Sequence, residues 1–389
     1  MRILLVTPVP AFFPRSGGSQ RSALLLEALL AIGDVDVLLL EPGAATQVER
    51  LNENGVTWVH AQLAWSNWTP WRFRPKAVLT HQIEKVLGQK LSDYQLVVGR
   101  YLWPLCQLRL PEGVRVIADL DDFHFRFSPL QPWSWTMLKY RIKKPVDQAL
   151  AQRQLHRLDA AFVAAACDLP LIGGLPCKLL PNIAFDSSDP VQLPKGEVGY
   201  ESSVKTPTLL FLGSLWYYPN AEAVSWFLAQ VWPSVLGQFP QARLLLAGAA
   251  SEQQRNSWRA ISSVEALGFV ENLAPVYAQA DLVIAPVLCG GGSNIKIVEA
   301  MKHGHACLVT PTVTDGFSNW LQDGENIMVA NSAKEFAARA TWALRNPRQM
   351  GEMGQAAKKA VSSKLGYGPF KEVVHGLVSS VMSRKPHSR

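Results

Sequence analysis

The sequence has few cysteines, few charged residues and no long uninterrupted apolar segment. Its five cysteines are odd in number and scattered without a CxxC pair, which argues against a zinc site or a disulfide framework and favours a reducing compartment. Charged residues make up 18% and hydrophobic residues 48% of the chain, a balance that excludes disordered, collagen-like and coiled-coil proteins. A length of 389 residues predicts two domains.

Neither a secretory signal nor a membrane-spanning segment is evident. The apolar run at residues 3–6 ends at Pro8, and it is shorter than the ~7 to 15 apolar residues of a signal sequence. Residues 160–175 include Asp168 and a glycine pair, and fall below the ~18 apolar residues that a spanning helix needs. We therefore expect a cytoplasmic protein, with peripheral contact to the inner face of the plasma membrane as one option.

Short apolar runs alternate with helix-length segments in both halves of the chain. The runs lie at residues 3–7, 36–40, 96–98, 116–119 and 161–163, and again at 209–212, 243–247, 281–285 and 306–309. Such alternation predicts parallel sheets wrapped by helices, and hence an α/β protein with two Rossmann-like, doubly wound domains facing across a cleft. We expect domains at 1–185 and 208–362, a linker at 186–207, and a C-terminal helix with a basic tail at 363–389.

A glycine pair follows the first predicted strand and opens a helix. Gly17 and Gly18 would let the backbone approach a ligand closely, and the free N–H groups of the helix start suit a phosphate. A plain strand-to-helix turn is the alternative. Because neither GxGxxG nor GxxxxGK[ST] occurs, dinucleotide and P-loop chemistry are disfavoured.

The most informative segment is a triple glycine at residues 290–292, placed between a predicted strand and a helix. Its amides and the helix N-terminus would form a diphosphate site, to which Lys296 adds a positive charge. Glu299 lies three residues further along the same helix face, where a carboxylate suits sugar hydroxyls. The alternative is a surface ion pair worth ~0.3 kcal/mol, which leaves the three glycines unexplained. We therefore predict a site for a nucleotide-sugar diphosphate.

Further motifs accompany this loop, and together they resemble the retaining GT-B glycosyltransferases of group 1, also called family four. The motifs are Phe211-Leu212-Gly213-Ser214 with Pro219-Asn220, Gly268-Phe269-Val270 with Leu273 and Tyr277, Ala280-Asp281, residues 290–300 with Gly304, Asp315-Gly316, Asp323-Gly324, Gly17-Gly18 with Arg21, and Leu180-Pro181-Asn182. The resemblance covers nearly the full chain, and its C-terminal motifs are the more specific.

The resemblance implies transfer of a sugar from a nucleotide-sugar donor on the second domain to an acceptor hydroxyl held mainly by the first, with retention of anomeric configuration. The nucleotide sugar is a co-substrate, and neither another cofactor nor a metal is expected. The resemblance assigns Glu299 to the donor ribose and Lys296 to the diphosphate. It places the donor among Gly213, Ser214, Gly291, Gly292, Ser293 and Asn294, the base beside Phe269 and Val270, and the leaving phosphate near Gly17 and Gly18.

Two positions depart from the family pattern. The first of two glutamates spaced eight apart is replaced by Gly291, which we interpret as a subgroup feature. Asp121 stands where relatives often carry a histidine, with Asp122 beside it and His124 nearby. The adjacent carboxylates would serve as acid and base if one pKa were raised, or would cap a following helix. Because no residue qualifies as a nucleophile, we expect the departing diphosphate to act as base for same-face attack.

Aromatic and basic residues interleave in the first half of the chain. This pattern fits either a membrane interface, with anionic lipid meeting the cations, or tryptophans in a core beside solvated cations. The residues are Trp65, Trp68, Trp71, Arg72, Phe73, Arg74, Lys76, Phe125, Arg126, Phe127, Trp133, Trp135, Lys139, Tyr140, Arg141, Lys143 and Lys144.

The acceptor is therefore expected to be a glycan or a lipid-linked molecule, in the synthesis of a cell-surface polysaccharide or glycolipid. Two alternatives stay open. One is a nucleotide-sugar epimerase of GT-B fold, which would share the cleft. The other is a basic nucleic-acid-binding protein, favoured only by the pI of about 9.1 and the interleaved aromatic residues, and we expect no nucleic-acid partner.

Overall fold

The computed structural model describes residues 1–12, 17–43, 47–53, 56–64, 76–121, 123–124, 126–128, 130, 133, 135–184, 206–317 and 320–384. Within these ranges the chain forms two sheets wrapped by helices. The eight-stranded sheet belongs to the first half of the chain, and the six-stranded sheet belongs to the second half.

The first sheet has the order β3-β4-β2-β1-β5-β6-β8-β9, and all neighbouring strands are parallel except β3 and β4. The strands of this half are β1 (Arg2–Thr7), β2 (Asp34–Gly43), β3 (Gln47–Glu53), β4 (Val56–Ala64), β5 (Leu96–Arg100), β6 (Arg115–Leu120), β7 (Arg126–Phe127), β8 (Ala160–Val163) and β9 (Cys177–Leu179). The helices are α1 (Gly17–Leu30), α2 (Ala77–Leu87), α3 (Leu102–Cys106) and α4 (Trp135–Gln152).

The second sheet has the order β12-β11-β10-β13-β15-β16, and every pairing in it is parallel. The strands of this half are β10 (Thr208–Leu212), β11 (Arg243–Ala247), β12 (Val264–Gly268), β13 (Leu282–Ala285), β14 (Cys289–Gly290), β15 (Cys307–Val309) and β16 (Met328–Val329). The helices are α5 (Tyr218–Gln230), α6 (Trp232–Gln238), α7 (Glu252–Arg259), α8 (Ala274–Tyr277), α9 (Ile295–Lys302), α10 (Pro311–Thr314), α11 (Ala333–Arg345), α12 (Pro347–Lys364) and α13 (Tyr367–Met382).

The predicted α/β fold with two doubly wound domains is confirmed. Apolar side chains of the central strands are buried on both faces, as expected when helices cover both sides of a parallel sheet. The helical region after residue 333 is interrupted at Asn346, because α11 ends at Arg345 and Pro347 opens α12. The predicted linker lies outside the described residues except for residues 206 and 207.

The last helix packs on the first domain, which the sequence pattern did not predict. Phe370, Val374 and Leu377 of α13 are buried in the same cluster as Ile3, Leu5 and apolar residues of α1. The chain therefore returns from the second domain to the first, and it crosses between the domains a second time after α12. No helix among the described residues is long and apolar enough to cross a membrane.

Candidate functional site

The site lies between the two sheets, at the carboxyl ends of their parallel strands, where open α/β folds bind ligands. A two-residue antiparallel ladder joins the domains here, pairing β7 with β14. Ser128 continues it, because its N–H donates to the carbonyl oxygen of Leu288 over 2.6 Å. The glycine-rich loop that follows β14 is thereby held against the first domain.

The last glycine of the triple has a conformation and a neighbour that only glycine tolerates. Gly292 has φ of 63°, and a Cβ atom placed on it would lie 2.7 Å from the carbonyl oxygen of Asp121. Its own carbonyl oxygen accepts a hydrogen bond from Arg126 Nη2 at 2.7 Å. The loop therefore contacts the first domain across the cleft.

Asn182, which ends the first domain after β9, connects the glycine-rich loop to the first domain. Its backbone N–H donates to Ser293 Oγ, and its Nδ2 donates to the carbonyl oxygen of Ser293, both over 3.0 Å. The same Nδ2 also donates to Asp121 Oδ1 at 3.1 Å. One buried residue thus connects the glycine-rich loop of the second domain with Asp121 of the first domain.

Lys296, the second residue of α9, is buried without a carboxylate. Its Nζ donates to Asn220 Oδ1 and lies 4.9 Å from the centroid of the Phe211 ring. Among the described residues no ion pair neutralises it, and burial lowers its pKa to about 7. An anionic ligand beside this ammonium group would supply the missing charge and raise the pKa again.

The turn after β10 leaves space next to that ammonium group. Gly213 has φ of 145°, and a Cβ placed on it would lie 3.2 Å from Lys296 Nζ and 2.8 Å from Asn220 Nδ2. The carbonyl oxygen of Ser214 accepts from the same Asn220 amide at 2.9 Å. Asn220 therefore fixes the turn and the lysine together, on the side of the glycine-rich loop.

Glu299 has a partner other than Lys296. Gln20 Nε2 of α1 donates to Glu299 Oε1 at 3.0 Å, and burial raises the pKa of this carboxyl. The alternative of a surface Lys296–Glu299 ion pair is therefore wrong, because the lysine is buried and each side chain bonds elsewhere. Gly17 also meets α9, since a Cβ there would lie 2.6 Å from Ile295 Cγ2.

Asp121 belongs to a buried network of two arginines and two aspartates. Asp119 accepts from Arg21 at 2.7 and 2.6 Å and from Arg100 Nη1 at 2.8 Å. Arg100 Nη1 also donates to Asp121 Oδ2 at 3.0 Å, and its Nη2 donates to the carbonyl oxygen of Gly18 at 3.3 Å. The arginines balance both carboxylates and attach them to the Gly18 turn.

The idea that Asp121 caps a following helix is wrong, because the chain continues to β7 and the next helix, α4, begins at Trp135. Asp122 lies outside the described residues. An acid or base role for Asp121 stays a prediction.

Two exposed aromatic side chains border the second domain's half of the cleft. Phe269 follows Gly268, which has φ of 77° and ends β12. Trp216 follows the Gly213–Ser214 turn and is also exposed. Exposed rings at strand ends offer surfaces on which a base can stack. Contact of the base with Phe269 and Val270 stays a prediction.

A separate cavity of about 410 Å³ lies between α4 and α10. From the first domain it is lined by side chains that include His124, Arg126 and Lys144, and from the second by Thr312 and Asp315. His124 Nδ1 is 2.9 Å from Gln148 Oε1 of α4. The cavity thus combines several hydrogen-bonding groups with a positive balance of charge.

Sequence reasoning assigned no role to four residues of this site: Gln20, Arg100, Asn220 and, as a loop contact, Arg126. Arg100 carried a usable signal, since a charged residue directly after a buried apolar run marks the carboxyl end of a strand. The other three act through partners 76 to 279 residues away, which no local pattern reveals.

Comparison with known proteins agrees with this geometry. Residues 206–346 match the family of glycosyl transferases group 1. The matched region lies within the second half of the chain, so this half is similar to a group 1 glycosyl transferase domain. A protein of Klebsiella pneumoniae, described as an uncharacterised 44.6 kDa protein in the cps region, is 26% identical over 137 residues. That alignment covers 33% of this chain and 35% of the length of the relative.

Solved structures share the fold of the whole chain. Sucrose-phosphate synthase from Thermosynechococcus elongatus superposes with a TM-score of 0.68 and 14% identity, over 98% of this chain and 99% of that chain. HepE of Anabaena, in complex with UDP-glucose, superposes with a TM-score of 0.60 and 15% identity, over 98% of this chain and 100% of that chain. A trehalose-6-phosphate synthase studied for glycosyl transfer with retention superposes with a TM-score of 0.64 and 12% identity, over 99% of this chain and 100% of that chain. The chain therefore has the GT-B fold.

Proposed function

We propose that this protein is a retaining glycosyltransferase that transfers a sugar from a nucleotide-sugar donor to an acceptor hydroxyl, in the synthesis of a cell-surface polysaccharide or glycolipid. The observation that carries the proposal is a buried lysine without a carboxylate, next to a glycine-rich loop at the start of α9. The group 1 domain, the UDP-glucose complex of HepE and the cps location of the Klebsiella relative support it.

In the proposed complex the diphosphate lies between Lys296 and the Gly213 turn. The amides of Gly291 to Asn294 and the N-terminus of α9 add partial positive charge on the same side. Glu299, held by Gln20, accepts hydrogen bonds from the ribose hydroxyls. The base stacks near Phe269, and Gly18 approaches the leaving phosphate from the first domain.

The proposed reaction proceeds on one face of the sugar. The bond between the anomeric carbon and the diphosphate oxygen breaks, the acceptor oxygen bonds the same carbon, and the acceptor proton passes to the departing phosphate. In this proposal Asp121, which pairs with Arg100 and Asn182, contacts the sugar and forms no covalent intermediate. The site then acts mainly by stabilising charge that develops on the diphosphate.

We place the acceptor in the cavity between α4 and α10, because it adjoins the glycine-rich loop through Arg126. Its histidine, lysine and glutamine suit the hydroxyls and anionic groups of a glycan or a lipid-linked glycan. Acceptor and donor would then meet beside Gly292, where the two domains touch.

Product analysis tests the proposal. The protein is incubated with nucleotide sugars of different bases and with extracted glycan or lipid-linked acceptors, and the products are separated by mass and analysed by NMR. We expect a new glycoside with the donor's anomeric configuration, formed equally well in EDTA. A free epimerised nucleotide sugar would instead establish an epimerase, and an inverted glycoside would contradict retention.

A further inference from the structure

An apolar and cationic stripe runs along the outside of α4. Trp135, Lys139, Ile142, Val146 and Ala149 are spaced by three or four residues, so they lie on one face of the helix. All five are exposed: the tryptophan is 81%, the isoleucine 65% and the valine 54% accessible. Large apolar side chains at this spacing normally face a core, so their exposure indicates a surface that something covers.

The surroundings of the stripe add further aromatic and positive groups. Trp133, just before α4, is 79% exposed. The Arg141 guanidinium lies 5.5 Å from its ring centroid and 5.3 Å from that of Phe127. Over its full length α4 carries Lys139, Arg141, Lys143 and Lys144 against a single acid, Asp147.

The opposite face of the same helix belongs to the protein interior. Lys144 and Gln148 line the cavity between the domains, and Ala151 packs against the core of the first domain. One face of α4 therefore packs against the protein, and the face that carries the stripe is exposed to solvent. An indole-rich, lysine-bearing helix face that lies parallel to the protein surface matches the chemistry of the headgroup region of an anionic bilayer.

We propose that the outer face of α4 binds to the surface of an anionic lipid bilayer, with Trp133, Trp135, Ile142 and Val146 at headgroup depth and Lys139 and Lys143 facing lipid phosphates. Charge complementarity favours anionic lipid over an apolar protein partner, since cations interleave with the apolar residues instead of surrounding them. One consequence rests on the proposed function: this placement of α4 brings the cavity between α4 and α10, where we place the acceptor, next to the membrane. The acceptor is then a lipid-linked molecule that reaches the cavity past α4.

Co-sedimentation of the full chain with vesicles tests this proposal. We expect binding to vesicles that contain phosphatidylglycerol, weaker binding at high salt, and little binding to phosphatidylcholine alone. A Trp135→Ser/Ile142→Ser double variant should lower the partition coefficient about tenfold or more, since two exposed apolar anchors are lost. Lys139→Gln/Lys143→Gln should lower it by roughly fivefold per charge at low salt.

Trp342→Ser is the matched control, because Trp342 is an exposed tryptophan of α11 on the second domain. It should bind vesicles like the unaltered protein, and thermal unfolding verifies that every variant is folded. The proposal is overturned if the unaltered protein does not bind anionic vesicles, if the α4 variants bind as well as it does, or if Trp342→Ser weakens binding equally. Nucleoside diphosphate binding, measured on the same variants, should be unchanged, so failure of the membrane proposal is distinguishable from failure of the donor site.

Discussion

The two sides of the cleft differ in whether their buried charges are paired. In the first domain Asp119 and Asp121 are matched by Arg21 and Arg100 at hydrogen-bond distances, and the set is electrically complete. In the second domain Lys296 is buried with only a neutral amide as partner. Buried charges that are fully paired stabilise the protein without a ligand. A buried charge without a counter-charge is tolerated where a bound ligand supplies the opposite charge. We therefore expect the first set to contribute mainly to stability and Lys296 to contribute mainly to ligand binding.

The largest effect on stability is expected when the buried network of two arginines and two aspartates loses one carboxylate. Asp119→Asn leaves two buried arginines short of a counter-charge and should lower the free energy of unfolding by about 3 to 5 kcal/mol. Denaturant unfolding measures it. The control is Asp323→Asn, which removes a partly exposed ion pair with Arg339 and should cost no more than ~1 kcal/mol. Equal losses in the two variants would show that the buried network has no special role.

Replacement of Lys296 should not lower stability, in contrast to replacement of Asp119. Lys296→Met removes a buried charge without a counter-charge, so stability should stay level or rise, while turnover falls by ~10² or more. Initial rates and thermal unfolding measure the two effects together. Lys334→Met, on the exposed face of α11, serves as the control and should change neither. Full turnover in Lys296→Met would remove the lysine from the mechanism.

The glycine-rich loop can be tested with a matched pair of glycines. Gly292→Ala and Gly324→Ala both place a side chain at positive φ, which costs roughly 1 to 2 kcal/mol of stability in each. Only at Gly292 does the new Cβ meet Asp121, whereas nothing lies within 4 Å at Gly324. The first variant alone should raise the donor KM. If both variants leave KM unchanged, the contact of the loop with the first domain has no part in donor binding.

The smallest effect is expected on nucleotide affinity, when the side chain proposed to stack on the base is removed. Phe269→Ala should weaken nucleoside diphosphate binding by about threefold to tenfold, which corresponds to one stacking contact of ~0.5 to 1.5 kcal/mol. Titration calorimetry measures it, and Phe269→Tyr should retain the affinity because the ring is kept. Unchanged affinity in the alanine variant would place the base elsewhere.

Local patterns predicted most of the fold, and they located the cleft-facing loop of the second domain better than the contacts from the first domain. The apolar run at residues 243–247 is a strand with those bounds, and the helix predicted after the triple glycine is observed from Ile295. These signals are local, since strand periodicity and glycine content need only a few neighbouring residues.

What the patterns did not predict depends on contacts between distant parts of the chain. The side of the molecule on which α13 packs is decided by apolar partners in β1 and α1, more than 300 residues earlier. The sequence placed Lys296 beside the diphosphate as a full positive charge, but its protonation is set by burial under residues from other elements. Spacing along one helix cannot report that environment.

Proton uptake on donor binding tests the central claim most directly. At about pH 8 the free lysine, with its pKa near 7, is mostly neutral, and a bound diphosphate raises that pKa and draws a proton from solution. Calorimetry of UDP and other nucleoside diphosphates in buffers of different ionisation enthalpy should show uptake approaching one proton, affinity that falls as pH rises above 7, and no uptake in Lys296→Arg. Binding without proton uptake, or no binding by any nucleoside diphosphate, would contradict the account.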